Sequence, residues 1–453
     1  MLLFFNNFSA GMRALAMETQ RGLQVSTNSI EVIQSINHFH HQIVGSGKFA
    51  EDILSAAEHH PDNLLIQTYA AAFYLYAQEN VTTNLAAAHL LKAEKQLPKA
   101  NLREQLSYQA VHSWLRLDYQ AALNLFSALT ELFPRDTLAA KFAEWLFYCS
   151  GQVYQSQRFL AFCEKMAKYN QDESHFLAIH AFALQLSGKH KASMALAERA
   201  IDMELITPWA HHCLAHAYLF ESDLGGGIAC LRRFQSSWEQ ILPLLKGHNS
   251  WHLALFYLAN RDETEVLALF NQGIFGTLPE TALEQLDAIS LLWRMDMAGM
   301  PQDNLFKSIA NYLGVHPFEP YTGFNSAHFI YCLARAGEKK QVEKALKAIQ
   351  SYANSLAEGY SRELWLTVNL PFCKAISYFV ESDHQNVCKL LSPIIDSCFQ
   401  MGGSDAQDEL FTQTYLLSLL GCKKKDEAKR VFTNYLAHYE NTALADYWFS
   451  GLI

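Results

Sequence analysis

The chain of 453 residues is 50% apolar, 13% aromatic and only 18% charged, a composition that excludes intrinsic disorder and supplies apolar surface for a large core. With 45 acidic against 35 basic residues the formal charge is -10, the wrong sign for a protein that neutralises phosphates or coats an anionic bilayer. Nucleic acid and membrane are therefore not expected as partners.

The start, Met1 to Leu15, carries the short apolar run Leu2-Leu3-Phe4-Phe5, broken at once by Asn6 and Asn7 and lacking a basic n-region. It does not read as a secretory signal, so the protein is expected to begin near Met1 and to be soluble. Each later apolar stretch is interrupted within a few turns by charge, Asn or Gln, short of the roughly 18 apolar residues of a spanning helix.

From there a turn followed by a small-residue helix recurs. Leu117-Asp118-Tyr119 precedes Ala122, Phe126 and Pro134, and Gly188 precedes Ala192, Ala197 and Ala200. The same turn falls at Gly47, Asn80, Leu117, Gly151, Gly188, Leu224, Asn260, Gly299, Gly337, Ser382 and Gly421, in steps of 33 to 45 residues. These steps sit just above the roughly 34-residue period of tetratricopeptide (TPR) repeats, and small residues in the second helix suit close packing of a helical pair. Strand and hairpin signals are nearly absent. The expected fold is all-α, a right-handed α-solenoid of about eleven TPR-like hairpins with an extended concave surface as its default binding site. Residues 1–40 are expected to form an N-terminal helical cap, 41–350 a TPR-like array with His-rich central repeats, and 351–453 further C-terminal repeats. The longer step between Gly337 and Ser382 allows an extra turn or loop around Ser351 to Arg362.

Histidines fall on the repeat phase. His180, His216 and His252 lie 36 positions apart, as do His212 and His248. Two consecutive first helices thus each carry His-x-x-x-His, the spacing that puts two imidazoles on one helix face. Three readings compete: a zinc-type chelate, a pocket for a small polar ligand beside Asn249 and Arg294, and an internal hydrogen-bond network that fixes register between repeats. A zincin would place Glu after the first His, where Cys213 and Asn249 stand. His328, on a later first helix, is expected near the same region if the array curves.

Further on, Asp287 and Arg294 lie two turns apart and are expected to form a partly buried ion pair. Gly402-Gly403-Ser404 reads as a turn with Ser404 as N-cap, with an anion site at the following helix as the weaker alternative. Lys423-Lys424-Lys425 reads as a solvated loop. No nucleophile elbow, Walker A loop, dinucleotide fingerprint or kinase pattern occurs. The nine cysteines include no Cys-x-x-Cys and read as buried thiols in a reducing, cytoplasmic compartment.

At these same residues the chain resembles the tetratricopeptide repeat protein 38 family. The matching segments are Trp209-Ala210-His211-His212-Cys213-Leu214-Ala215-His216, Gly247-His248-Asn249-Ser250-Trp251-His252-Leu253-Ala254-Leu255, Ser290-Leu291-Leu292-Trp293-Arg294, Phe324-Asn325-Ser326-Ala327-His328 and Gly402-Gly403-Ser404-Asp405-Ala406-Gln407. The resemblance implies an α-solenoid with no established reaction, presumed to bind proteins. The family tends to have Asp where Ser326 stands, Trp where Ser250 stands, and Arg-Asp where Asp408-Glu409 stand.

Together these readings place a binding site at His212, His216, His248, Asn249, Trp251, His252, Arg294, Asn325 and His328. The expected occupant is a protein or peptide segment, or else a small polar molecule. No catalytic residue, metal ligand or cofactor is assigned. The alternative is an enzyme of unknown reaction, with or without a metal, built on His212, His216, His248 and His252.

Overall fold

The computed structural model describes residues 16–451; the Met1 to Leu15 segment lies outside them. Apart from one short antiparallel pairing of Met17–Glu18 with Gln24–Val25, the described chain is helical, and no helix is long and apolar enough to cross a membrane.

Eleven successive helical hairpins are recognisable, followed by a last short helix, Ala443–Phe449. Every hairpin turn holds a residue in the left-handed region: Ser46, Gln78, Leu117, Gly151, Gly188, Ser222, Arg261, Gly299, Gly337, Ser382 and Lys423. Each falls within two residues of the turn expected from the sequence. At Leu117, Ser222, Arg261 and Ser382 this conformation is unfavourable for a side chain with a Cβ, and the next residue compensates. Asp118, Asp223, Asp262 and Asp383 each cap the following helix by accepting a backbone N–H three residues on.

The two helices of a hairpin differ in burial. First helices such as Leu64–Leu75, Thr137–Cys149, Ser174–Leu186 and Pro208–Phe220 are buried on nearly all sides. Second helices bury one stripe, as in Lys339–Ser355, where Val342, Ala345, Ile349 and Ala353 recur at helical spacing beneath an exposed polar face. Small residues set the separation of the pairs. A Cβ on Gly227 would stand 2.4 Å from the ring of Phe256 on the neighbouring helix.

The array coils until distant turns meet. Ser46 accepts from the Leu242 N–H, Asn325 donates to Gln78 across 247 positions, and Gly403 exchanges backbone hydrogen bonds with Tyr148 and Gln152. The first helix of the eleventh hairpin, Asp405–Gly421, is buried on all its faces from Ala406 to Leu419. It lies against residues from several hairpins, including Phe324, His328 and Phe372 through Phe411. The extended open concave surface expected from the sequence is therefore largely occupied by the chain itself.

The long step between turns is accommodated without a long loop. Lys339–Ser355 continues through residue 350, and Tyr360–Leu364 passes through a π-helical segment, Trp365–Asn369, into Leu370–Val380. Seven of the nine cysteines are buried as free thiols, and Cys230 and Cys422 are half-buried.

Candidate functional site

The Pro208–Phe220 and Pro243–Ala259 helices are the first helices of adjacent hairpins, and their His-x-x-x-His faces meet. All four imidazoles converge, with ring centroids 4.5 to 5.1 Å apart for the five close pairs among them. His212 is central: its Nε2 lies 3.1 Å from Nε2 of His216 and 3.2 Å from Nε2 of His248.

Two carboxylates stand behind the cluster. Nδ1 of His216 donates to Asp405, at 2.6 Å, and Nδ1 of His248 donates to Asp287, at 2.9 Å. Ionised carboxylates only accept, so both rings carry their proton on Nδ1 and, when neutral, turn a lone pair on Nε2 toward His212. His212 can offer one Nε2 proton to two such acceptors. Nδ1 of His212 and Nε2 of His252 are buried and have no hydrogen-bond partner. Burial, then the neighbouring imidazoles, holds His212 and His252 well below the ordinary histidine pKa, so an added proton is disfavoured at both. Burial opposes the charge of Asp405, but His216, the Gln185 amide and the Ala406 N–H keep its carboxyl below the usual range.

Aromatic rings hold the imidazoles in place. Trp209 stacks on His212 at 4.3 Å, Trp251 lies parallel to His248 and edge-on to His252, and Phe182 meets His212 and His216 edge-on. Lys141 Nζ sits 3.5 Å from the centroid of the Trp209 ring and is bonded to Glu144, which also accepts from Gln152. His212, His248 and Asp287 open onto a cavity of about 480 Å³, whose wall is mostly apolar and aromatic, with Phe73, Tyr76, Trp145, Leu245 and Leu286 among its lining residues. Lys141, Glu144 and Gln152 line the same cavity, and a chain of contacts runs from Gln152 through Glu144, Lys141, Trp209, His212 and His248 to Asp287.

The remaining expected residues have other neighbours. Asn249 is buried and donates to the Pro208 carbonyl. Arg294 does not pair with Asp287, whose carboxylate is taken by His248; its guanidinium instead donates to the Ala406 and Gln407 carbonyls and lies over Trp251. Arg294 thus anchors the Asp405–Gly421 helix. Asn325 bridges Thr322 and Gln78, and His328 Nδ1 donates to the Phe324 carbonyl while its ring packs among Phe324, Trp293 and Phe411. Gly402-Gly403-Ser404 forms the turn expected, with the Gln407 side chain accepting from the Ser404 N–H.

Asp405 carries no sequence signal for its role, since its partner lies 189 positions away. Lys141 and Glu144 carry one: they are charges set three apart in an otherwise apolar first helix. No protein-family model matches the chain. The fold and site together define an all-helical array that encloses a carboxylate-backed histidine cluster beside a cavity.

Proposed function

We propose that the protein is a binding protein of TPR-like hairpins, wound as a right-handed solenoid, that takes a small molecule with an apolar body and one polar end into its interior. The observation that carries this reading is the cavity beside His212 and His248, whose volume of about 480 Å³ falls in the range of small-molecule sites, roughly 300–1,000 Å³. A long peptide groove is disfavoured because the Asp405–Gly421 helix fills the inner space. The polar wall suits an anionic or hydrogen-bonding head group, with Lys141 supplying a cation, while Trp145, Tyr76 and Leu286 suit an apolar remainder. The resemblance to the tetratricopeptide repeat protein 38 family supports the solenoid and adds no reaction. A cytoplasmic location accords with cysteines kept as thiols.

Anilinonaphthalene sulfonate, an apolar fluorophore with one anionic group, tests the reading. It is expected to bind the native protein at one site per chain, to bind more weakly to Lys141→Ala, and to be excluded by Ala77→Trp, which fills the cavity from a half-buried turn. Binding that is indifferent to both substitutions, in variants that unfold as cooperatively as the wild type, would sink it.

A further inference from the structure

The geometry points to a divalent transition-metal site of the zinc type in the histidine cluster, with His212, His248 and His252 as ligands and His216 against its edge. Each of the three offers a ring nitrogen that lies within 4.8 Å of the others'. Four-coordinate zinc with nitrogens at about 2.0–2.1 Å implies ligand-to-ligand separations of roughly 3.4 Å. The contacts that His212 Nε2 makes with His248 and His216, 3.2 and 3.1 Å, are already close to such an edge.

The hydrogen bonding of the cluster favours a cation over a proton. Asp287 and Asp405 fix the tautomers of His248 and His216 so that their Nε2 lone pairs turn inward, the arrangement in which an outer carboxylate orients a metal-bound imidazole. His212 can satisfy one of these lone pairs with a proton, and Nε2 of His252 is left buried with no partner. A single cation held by His212, His248 and His252 answers the inward nitrogens of these three at once. A purely structural network would leave buried acceptors facing one another, at a cost of about 1–3 kcal/mol for each group left unpaired.

The ligand chemistry selects the ion. An all-imidazole set suits zinc, cobalt, nickel or copper and is poorly matched to magnesium or calcium, which prefer oxygen. Three imidazoles leave a coordination position for water or another donor, and His212 and His248 border the cavity from which that donor arrives. Metal binding is independent of any organic occupant: it is read directly, and its failure leaves the fluorophore result untouched.

Tag-free protein, stripped with dipicolinate and titrated with Co(II) and Zn(II), provides the test. One equivalent of cobalt per chain is expected, with the intense visible bands of a four-coordinate site, displaced by zinc. The His248→Ala, His252→Ala double variant is expected to lose both the bands and the stoichiometric zinc measured by mass spectrometry. Because removing buried imidazoles can disturb folding, Asp287→Asn is tested alongside. It keeps every ligand but removes an orienting carboxylate, and a roughly 10- to 100-fold weaker zinc affinity is expected. The surface-histidine control His59→Ala should change nothing; its exposed imidazole is bonded to the Ser55 carbonyl, away from the cluster. Substoichiometric cobalt without these bands in folded wild-type protein, or metal retained by the folded double variant, overturns the assignment.

Discussion

His216 and Asp405 share a 2.6 Å hydrogen bond across 189 positions of sequence, joining the sixth hairpin to the eleventh. The same carboxylate accepts from the Gln185 amide on the fifth hairpin. Replacing Asp405 with Ala leaves an imidazole and an amide without their acceptor in the interior. A loss of about 2–4 kcal/mol in unfolding free energy is expected, with Asp405→Asn losing less. Equilibrium urea unfolding followed by circular dichroism measures both, and equal stability of the Ala variant and wild type would remove Asp405 from this role.

Two glycines with positive φ make a contrast of space against backbone strain. Gly188 has φ +75° and open space where a Cβ would stand, whereas Gly403 has φ +100° and would place its Cβ 2.6 Å from Asp408 Oδ1 and 2.9 Å from the Phe324 ring. Gly188→Ala is expected to cost about 1 kcal/mol from backbone strain alone. Gly403→Ala should cost clearly more, because Phe324 and Asp408 must also shift and the pairing of Gly403 with Tyr148 and Gln152 must yield. Thermal unfolding of the two variants side by side checks the order.

Asp408 sets up a pH effect of unusual sign. Both of its carboxylate oxygens are buried and without a hydrogen-bond partner, and burial, then the charge of Asp405, raises its pKa well above the ordinary value. A carboxyl with a raised folded pKa contributes stability that is present at low pH and lost as pH rises through that pKa. Asp408→Asn, neutral at all pH, is therefore expected to stabilise the protein at pH 8 and to bring little gain near pH 4. Unfolding midpoints of both proteins across that range decide it; a constant difference between them would mean that Asp408 does not titrate in the window.

Three other buried groups act in the opposite direction. Burial lowers His40 and His211 to about 4 and His328 to about 3, against 6.5 for the free side chain. In the folded protein they stay neutral while the unfolded chain takes up protons. Their contribution is thus intact above about pH 6.5 and is lost as pH falls from there toward 4 and 3, approaching roughly 1.4 kcal/mol per pH unit for each histidine. Unfolding free energy is expected to fall through this range, and the slope should be shallower in His328→Gln. An unchanged slope in that variant would show that His328 is already protonated in the fold.

Much of the architecture was legible because it is local. A turn needs a left-handed residue, and one recurs at every turn from Ser46 to Lys423, joined at four of them by an Asp cap in the next position. The His-x-x-x-His faces were legible for the same reason, since His212 with His216 and His248 with His252 share a face by helical spacing alone. Their partners were not. Asp287 stands near Arg294 in sequence, yet the coil of the array turns Asp287 to His248 and leaves Arg294 to hold the carbonyls of Ala406 and Gln407. The cavity was equally hidden, because its wall joins Phe73 and Tyr76 of the second hairpin to Leu286 of the eighth. Contacts of that range depend on how each hairpin is set against the next, summed over six of them, a quantity that no single repeat encodes.

The burial of the Asp405–Gly421 helix bears on the order in which the molecule is made. A chain emerging from the ribosome can form hairpin after hairpin from local contacts, but the surroundings of His216 are incomplete until residue 405 has been synthesised and threaded inward. The histidine cluster is thus closed only once the eleventh hairpin is in place. A translation product that stops before the final hairpin can be richly helical and still lack the wall that completes the site.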